Sequence, residues 1–296
     1  MKLNQLFADV AAQEQFERDG YIVIDLTTPE IVRHLGRRFY DLNPDIPEGF
    51  SSGATEVEER VKKEIFAEMD ALLGPPLDRT FINYKKLGST FLCKAPGDKG
   101  HVNVHQDWSV VDESRYASAT VWIPTEPVDE RNGALRVLPG SHLFFNKLRN
   151  THIPVSYRGS EQLIWDHMLT VPMQPGQAFV LNHAVIHASS ANRTERARVV
   201  IAYGITSAQA QLTFHYRGPS QPGDLLEKFE MPDDFFLRYH NIGERPLVGV
   251  MTGQFDYPVP AVSREEIYGM IRRERERRRD IPYFREHWIE PHASAL

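Results

Sequence analysis

The sequence predicts a mainly β protein with flanking α-helices, and three observations carry the prediction. From about residue 79 to residue 218 the chain is a run of short segments rich in β-branched and aromatic residues, among them RTFINYKKLG, STFLCKA, SATVWIPTEPV and ARVVIAYGIT. Turn formers punctuate the run at Pro96-Gly97, Asn132-Gly133, Pro139-Gly140, Pro175-Gly176 and Asn192. Helical periodicity belongs to the segments on either side. Many short strands at this spacing make a sandwich or a barrel.

Taken in order, DVAAQEQFERDGYIVIDLTTPEIVRHLGRRFYDL reads as a short helix, a strand and a longer helix. Thr28 followed by Pro29 is a helix start, a hydroxyl N-cap with proline at the first helical position. Ile31, Val32, Leu35 and Phe39 then recur at helical spacing. A further helix spans much of ATEVEERVKKEIFAEMDALLG and is expected to end at Gly74 and Pro75. The C-terminal third is loop-rich and closes with a helix for which Ser263 and Glu266 form a capping box. Its RRERERRRD run reads as a solvated helix face. The whole chain, 1–296, is expected to be one domain: an N-terminal strand and helices at 1–78, the β core at 79–218, and a lid and helix at 219–296.

Composition narrows the partners. Hydrophobic residues are 41% and charged residues 25% of the 296, as in ordinary globular proteins. A net charge of −6 offers no general attraction to nucleic acid or to anionic membranes, so neither is an expected partner. No stretch is long and apolar enough for a membrane helix, and the N-terminus has no secretory signal pattern. The single cysteine, Cys93, forms no internal disulfide and fits a reducing cytoplasm. A small-molecule substrate and a homodimer complete the expectation.

The chemistry concentrates in two places. HVNVHQDWSV, residues 101–110, reads as a strand, and on a strand His105 and Asp107 share a face. AFVLNHAVIHASSANRTERARVVIAYG adds His183 and His187. A His-Asp pair with one distant histidine is the two-histidine, one-carboxylate triad, which holds ferrous iron and leaves three adjacent positions open. Zinc is the rival by ligand type, but it has no use for three open positions. Spacing does not choose between His183 and His187. The residues C-terminal to His187 do: Ser189, a turn at Asn192, and Arg198 opening the next strand eleven positions on (198 − 187 = 11). Arg198 on an antiparallel neighbour returns beside His187 and Ser189, where a guanidinium and a hydroxyl clamp the distal carboxylate of a dicarboxylic co-substrate.

VHQDW, GALRVLPGSH and HASSANRTERARVVIAY resemble the phytanoyl-CoA dioxygenase family of iron(II)/2-oxoglutarate oxygenases, as does the entry segment FERDGYIVIDLTTPEIVRHL. The resemblance runs from about residue 15 to about residue 206. It implies a double-stranded β-helix core, also called a jelly roll and cupin-like, flanked by helices. It implies Fe(II) held by His105, Asp107 and His187, with 2-oxoglutarate and O2 as co-substrates. Arg198 and Ser189 match the residues that hold the far carboxylate of 2-oxoglutarate, Trp122 an aromatic lining that pocket, and Lys94 a polar residue near the cavity. The implied reaction is hydroxylation of a C–H bond in a small natural-product or amino-acid-like substrate, with release of succinate and CO2. Desaturation, epoxidation and cyclisation can follow the same hydrogen abstraction. Related halogenases replace the carboxylate with a small residue, so Asp107 favours hydroxylation. Two other readings stand beside this one: a catalytically inactive jelly-roll binding protein, which lost ligands would mark, and a jelly-roll isomerase or hydrolase with another metal. Asn103, His183 and Tyr84 are the candidates for substrate contact. Trp108 is expected to pack on the opposite face of its strand, and His142 to steady its loop.

Overall fold

The computed structural model describes residues 4–53, 57–145, 147–218, 223–239 and 243–288. Helix α1 (Val10–Asp19) starts where the Asp9 side chain accepts a hydrogen bond from the Ala12 amide, and ends at Gly20 in the left-handed region. Strand β1 (Tyr21–Asp25) follows, then helix α2 (Pro29–Leu42), which starts after Thr28 with Pro29 in its first turn as the sequence predicts, although the Thr28 hydroxyl makes no cap bond. The chain continues through β2 (Phe50–Ser52) into helix α3 (Glu59–Thr80). This helix does not stop at Gly74. It runs through Pro75 and Pro76, because Leu73 and Leu77 on either side of the prolines are fully buried and anchor both halves to one core. The expected beginning of the helix at 54–56 lies outside the described residues.

Two antiparallel sheets face each other. The larger has the order β1-β8-β5-β10-β3-β2, built with β3 (Tyr84–Lys94), β5 (Ser118–Pro124), β8 (Gln177–Asn182) and β10 (Arg198–Ser207). The smaller has the order β4-β9-β6-β7, from β4 (Val102–His105), β6 (Leu135–Val137), β7 (Leu169–Thr170), which follows the short helix α4 (Glu161–Asp166), and β9 (His187–Ser189). This is the double-stranded β-helix expected from the family resemblance. The N-terminal segment is part of it, since β1 pairs with β8 and β2 with β3.

The period of two decides what each sheet face does. Ala119, Val121 and Ile123 of β5 and Val199, Ile201 and Tyr203 of β10 point outward, into one core with Val32, Leu35, Met69 and Leu73 of the helices. The intervening Thr120, Trp122, Arg198, Ala202 and Gly204 point inward and line the space between the sheets. The outer face is sealed by helices, so the inner face is free to hold a site.

The last third is more ordered than its loop-rich sequence suggests. β11 (Leu212–Tyr216), β12 (Leu225–Met231) and β13 (Val250–Asp256) form a separate antiparallel sheet, with the short helix α5 (Phe235–Arg238) between the last two. The helix α6 (Arg264–Arg278) opens with the Ser263/Glu266 capping box. Its arginine run is not wholly solvated. Arg278 is buried, with Nε 2.7 Å from the buried Asp19 carboxylate, and its Nη1 donates to Glu274. This clasp fastens α6 to the end of α1. Gly140 of the Pro139-Gly140 turn lies against it at φ 80°, where a Cβ would approach Glu274 Oε2 to 2.5 Å. Gly140→Ala is therefore expected to cost about 2 kcal/mol, the left-handed penalty plus disturbance of the clasp, read as a lower urea midpoint with unchanged m. No helix among the described residues is long and apolar enough to cross a membrane.

Candidate metal centre and co-substrate pocket

The strand carrying His105 is shorter than its sequence suggests. β4 ends at His105, which lies opposite His187 of β9, and Asp107 stands two residues beyond in a loop. Sharing a strand face is thus not what brings Asp107 to the histidines. The loop is held by its own bonds: the Gln106 side-chain amide donates to the carbonyls of Phe145 and Ala184, and Arg149 Nε donates to the Asp107 carbonyl at 2.8 Å. These turn the Asp107 carboxylate back toward both imidazoles. Its Oδ1 is 3.9 Å from His105 Nε2 and 3.7 Å from His187 Nε2. One ligand atom from each residue lies within 4.8 Å of the other two. Three points so spaced share a centre within about 3 Å of each, less than about 1 Å beyond ordinary bonds of imidazole or carboxylate to a divalent ion.

The donor chemistry fits such an ion. His105 Nδ1 is 2.8 Å from the Asn103 carbonyl, and His187 Nδ1 is 3.1 Å from the Val185 carbonyl. A carbonyl only accepts, so each Nδ1 carries the hydrogen and, in the neutral ring, each Nε2 presents its lone pair toward Asp107. Burial, together with the neighbouring His105, lowers His187 to about 4, so its ring is neutral at physiological pH. Burial pushes the Asp107 carboxyl up, but His187, His183, His105 and the Thr120 hydroxyl outweigh it and the net shift is downward. A neutral buried imidazole beside an ionised carboxylate attracts a divalent cation.

Across the cavity, on the larger sheet, stands Arg198. Its expected place as strand neighbour of His187 is not what the fold provides: β9 and β10 belong to different sheets, and the arginine faces the triad across the gap. Arg198 is 2% exposed, its guanidinium 5.3 Å from the Trp122 ring centroid. Its Nε and Nη1 have no hydrogen-bond partner among the described residues. The residue opposite it in the ladder is Lys94, fully buried, whose Nζ donates to Ser189 Oγ at 2.6 Å and to the Ser189 carbonyl at 3.1 Å. Like charges directly opposite on paired strands repel. Burial and then Arg198 push the Lys94 ammonium down to about 6, and burial lowers Arg198 to about 10. A buried guanidinium with unused donors, beside a lysine whose proton it helps drive off, is an anion site short of its anion.

The cavity between the sheets has a volume of about 380 Å³. His105, Asp107, His187, Ser189, Arg198, Trp122 and His183 all line it, and Lys94 lies behind Ser189. Other expectations need correcting. Asn103 is exposed and does not line the cavity, because a register irregularity between Val102 and His105 breaks the alternation and turns Val102 inward instead. Tyr84 is also outside it, its hydroxyl donating to Asp78 and its ring against Phe81. His183 is in the turn after β8, not on a strand with His187. Trp108 lines the cavity and packs edge-on against Phe214 and Tyr239. His142 holds its loop to α1 through the Glu17 carbonyl, 2.9 Å from Nε2.

Thr120 escaped the sequence reading. Its hydroxyl donates to Asp107 Oδ2 at 3.2 Å and meets His183 Nε2 at 3.2 Å, so a chain of two bonds joins His183 to the carboxylate. A threonine in a strand of alternating residues gives no local sign of this, since its partners come from a loop and a turn distant in sequence.

A relative from Danio rerio, phytanoyl-CoA dioxygenase domain-containing protein 1, is 28% identical over 136 residues, which are 43% of this chain and 47% of that protein. The match thus spans about half the length of that relative. Among solved structures, EvdO2 from Micromonospora carbonacea var. aurantiaca, complexed with 2-oxoglutarate, is 18% identical with a TM-score of 0.47, over 68% of this chain and 91% of that one. HygX from Streptomyces hygroscopicus, with nickel, 2-oxoglutarate and hygromycin B bound, is 16% identical with a TM-score of 0.49, over 67% and 86%. The family model of phytanoyl-CoA dioxygenase (PhyH) matches residues 16–200, well over half of the sequence, and the chain belongs to that family.

Proposed function

We propose that the chain is a non-haem Fe(II)/2-oxoglutarate-dependent dioxygenase that hydroxylates a C–H bond of a small organic substrate, releasing succinate and CO2. The observation that carries this reading is the convergence of His105, Asp107 and His187 opposite a buried arginine with unused donors. Ferrous iron and 2-oxoglutarate, bound there, would supply the activation of O2 that the side chains cannot. His105, Asp107 and His187 would hold the metal through two imidazole nitrogens and one carboxylate oxygen, a ligand set suited to iron that also binds co-substrates. Arg198, helped by Lys94 and Ser189, binds the distal carboxylate of 2-oxoglutarate and so orients its other end toward the metal. Trp122 and the apolar walls keep water out. The free buried thiol of Cys93 accords with work in a reducing cytoplasm, and a homodimer is the expected assembly, to be checked by sedimentation.

The test is anaerobic addition of Fe(II) and 2-oxoglutarate to the purified chain. A weak visible charge-transfer band and slow, Fe(II)-dependent release of succinate in air are expected. Failure to bind 2-oxoglutarate with Fe(II) present overturns the reading.

The lysine adds a pH dependence whose sign is fixed. Lys94 sits at about 6 in the free protein, and a carboxylate brought to it favours the ammonium. Its contribution to 2-oxoglutarate affinity is full below pH 6 and is lost as pH rises from there to the bound-state value. The dissociation constant should rise by up to about tenfold per pH unit in that window, with proton uptake visible as a buffer-dependent heat. Lys94→Met should bind more weakly at pH 6 and show a flat profile.

A further inference from the structure

The cavity has a second end, opposite Arg198. Arg198, Val200, Ala202 and Gly204 share the inward face of β10, and the six steps along the strand from the first to the last span roughly 20 Å. Gly204 pairs with Thr120, the residue bonded to Asp107, so the triad stands near the Gly204 end and the anion site at the other. The wall around Gly204 comes from outside the two facing sheets as well as from them. Gly88 pairs with Gly204 next to a register irregularity in β3, and a Cβ on Gly88 would lie 3.1 Å from Leu237 of α5. Phe236 and Leu237, with Leu87, Trp108 and Val110, make this end apolar. One lysine interrupts it. Lys62 of α3 lines the cavity, is 4% exposed, and donates from Nζ to the Tyr239 carbonyl at the end of α5. Ser89, next to Gly88, also lines the cavity, and its hydroxyl has no partner among the described residues.

We propose that this end takes a substrate with a compact apolar body and a single anionic oxygen group, the body held between Leu87, Trp108, Val110, Phe236 and Leu237 and the anion received by Lys62. The inference rests on the oxygenase reading only for which carbon reacts. An ammonium makes charge-assisted bonds to an oxyanion, and these are stronger than its bond to the Tyr239 carbonyl. The volume sets the size: about 380 Å³ is near the lower end for ligand pockets and must hold the co-substrate too, so a nucleotide-sized group cannot be enclosed. An apolar C–H then faces the triad, with the polar group held away from it.

Three probes share one body and differ in charge: 4-phenylbutyrate, 4-phenylbutan-1-ol and 4-phenylbutylamine. Each is titrated calorimetrically into the full chain, with saturating 2-oxoglutarate present to occupy Arg198, and again without it. The butyrate should bind at least about tenfold tighter than the alcohol, with the amine weakest. Lys62→Met should bring the butyrate-to-alcohol ratio close to one, Lys62→Arg should preserve it, and Leu237→Trp should weaken the butyrate and the alcohol alike. No binding of any probe, no preference in the native chain, or a preference that survives Lys62→Met overturns the proposal. 2-Oxoglutarate affinity, measured in the same variants, reports folding and the other site. Its loss in Lys62→Met alone marks a folding defect, and Lys62→Arg and Leu237→Trp then decide. Native protein that prefers the butyrate but does not bind 2-oxoglutarate sinks the oxygenase reading and leaves this one; the reverse sinks only this one.

Discussion

His187→Ala is expected to abolish Fe(II) binding and to lower turnover by at least about 10³-fold, while His183→Ala, only four residues away, should leave a metal site that is merely weaker. The two histidines have opposite roles because their free nitrogens face different partners. His187 directs Nε2 to within 3.7 Å of Asp107 Oδ1, with its Nδ1 committed to the Val185 carbonyl. His183 meets the Thr120 hydroxyl and reaches the carboxylate only through it. Removing one of three ligands leaves no facial set, whereas losing a residue that orients a ligand costs about 10- to 100-fold in metal affinity. Anaerobic Fe(II) titration of both variants, with succinate release as the second readout, separates the two. An His187→Ala chain that keeps native affinity while His183→Ala loses it would reverse the assignment. His105→Ala should behave as His187→Ala does.

Why the sequence singles out one of these histidines as a ligand, and does not place the other, has a physical explanation. His105, Asp107 and His187 are near strand ends with a turn and an arginine at characteristic distances, and such spacing survives in the sequence. The geometry that joins them does not. The sequence has His105 and Asp107 meet by sharing a strand face, yet the strand stops at His105 and the carboxylate is delivered by a loop pinned through Gln106 and Arg149. It has Arg198 beside His187 in one ladder, and the arginine arrives from the opposite sheet. The residue types are legible because the chemistry demands them, whereas the routes depend on long-range pairing that period and propensity do not encode. Asn103 fails for a related reason, since one register irregularity exchanges it with Val102. The helical flanks are legible where start signals and apolar spacing agree, through the proline at Pro29 and the capping box at Ser263/Glu266. They are not at Pro75-Pro76, where burial of Leu73 and Leu77 overrides two helix breakers. The sheet of β11, β12 and β13 is hidden by the turn-rich segments between its strands.

Arg198→Met is expected to raise the dissociation constant of 2-oxoglutarate by about 10²- to 10³-fold without destabilising the free protein. The affinity loss comes from the bonds removed. A guanidinium with Nε and Nη1 unused among the described residues offers a fork to a carboxylate, and hydrogen bonds to charged groups are worth about 1.5–3 kcal/mol each. The neutral or favourable effect on stability comes from the ladder. Arg198 faces Lys94 directly, both buried, and since Lys94 at about 6 gives up most of its proton at neutral pH, what the free protein carries here is a buried guanidinium with unused donors. Methionine keeps the apolar stem against Trp122 and removes that buried charge. Lys94, relieved of its neighbour, should then titrate above its present value of about 6, moving back toward that of an ordinary lysine. Arg198→Lys keeps a charge but not the fork, and should fall between native and methionine in affinity. Urea unfolding of the free variants and calorimetry with 2-oxoglutarate test both halves together. A residue retained only for packing would lose stability and affinity in parallel, whereas one kept under strain to receive an anion loses affinity alone. Native-like affinity in Arg198→Met would remove the guanidinium from the binding site, and a large loss of free-protein stability would show that the buried charge is not held at a cost to the fold.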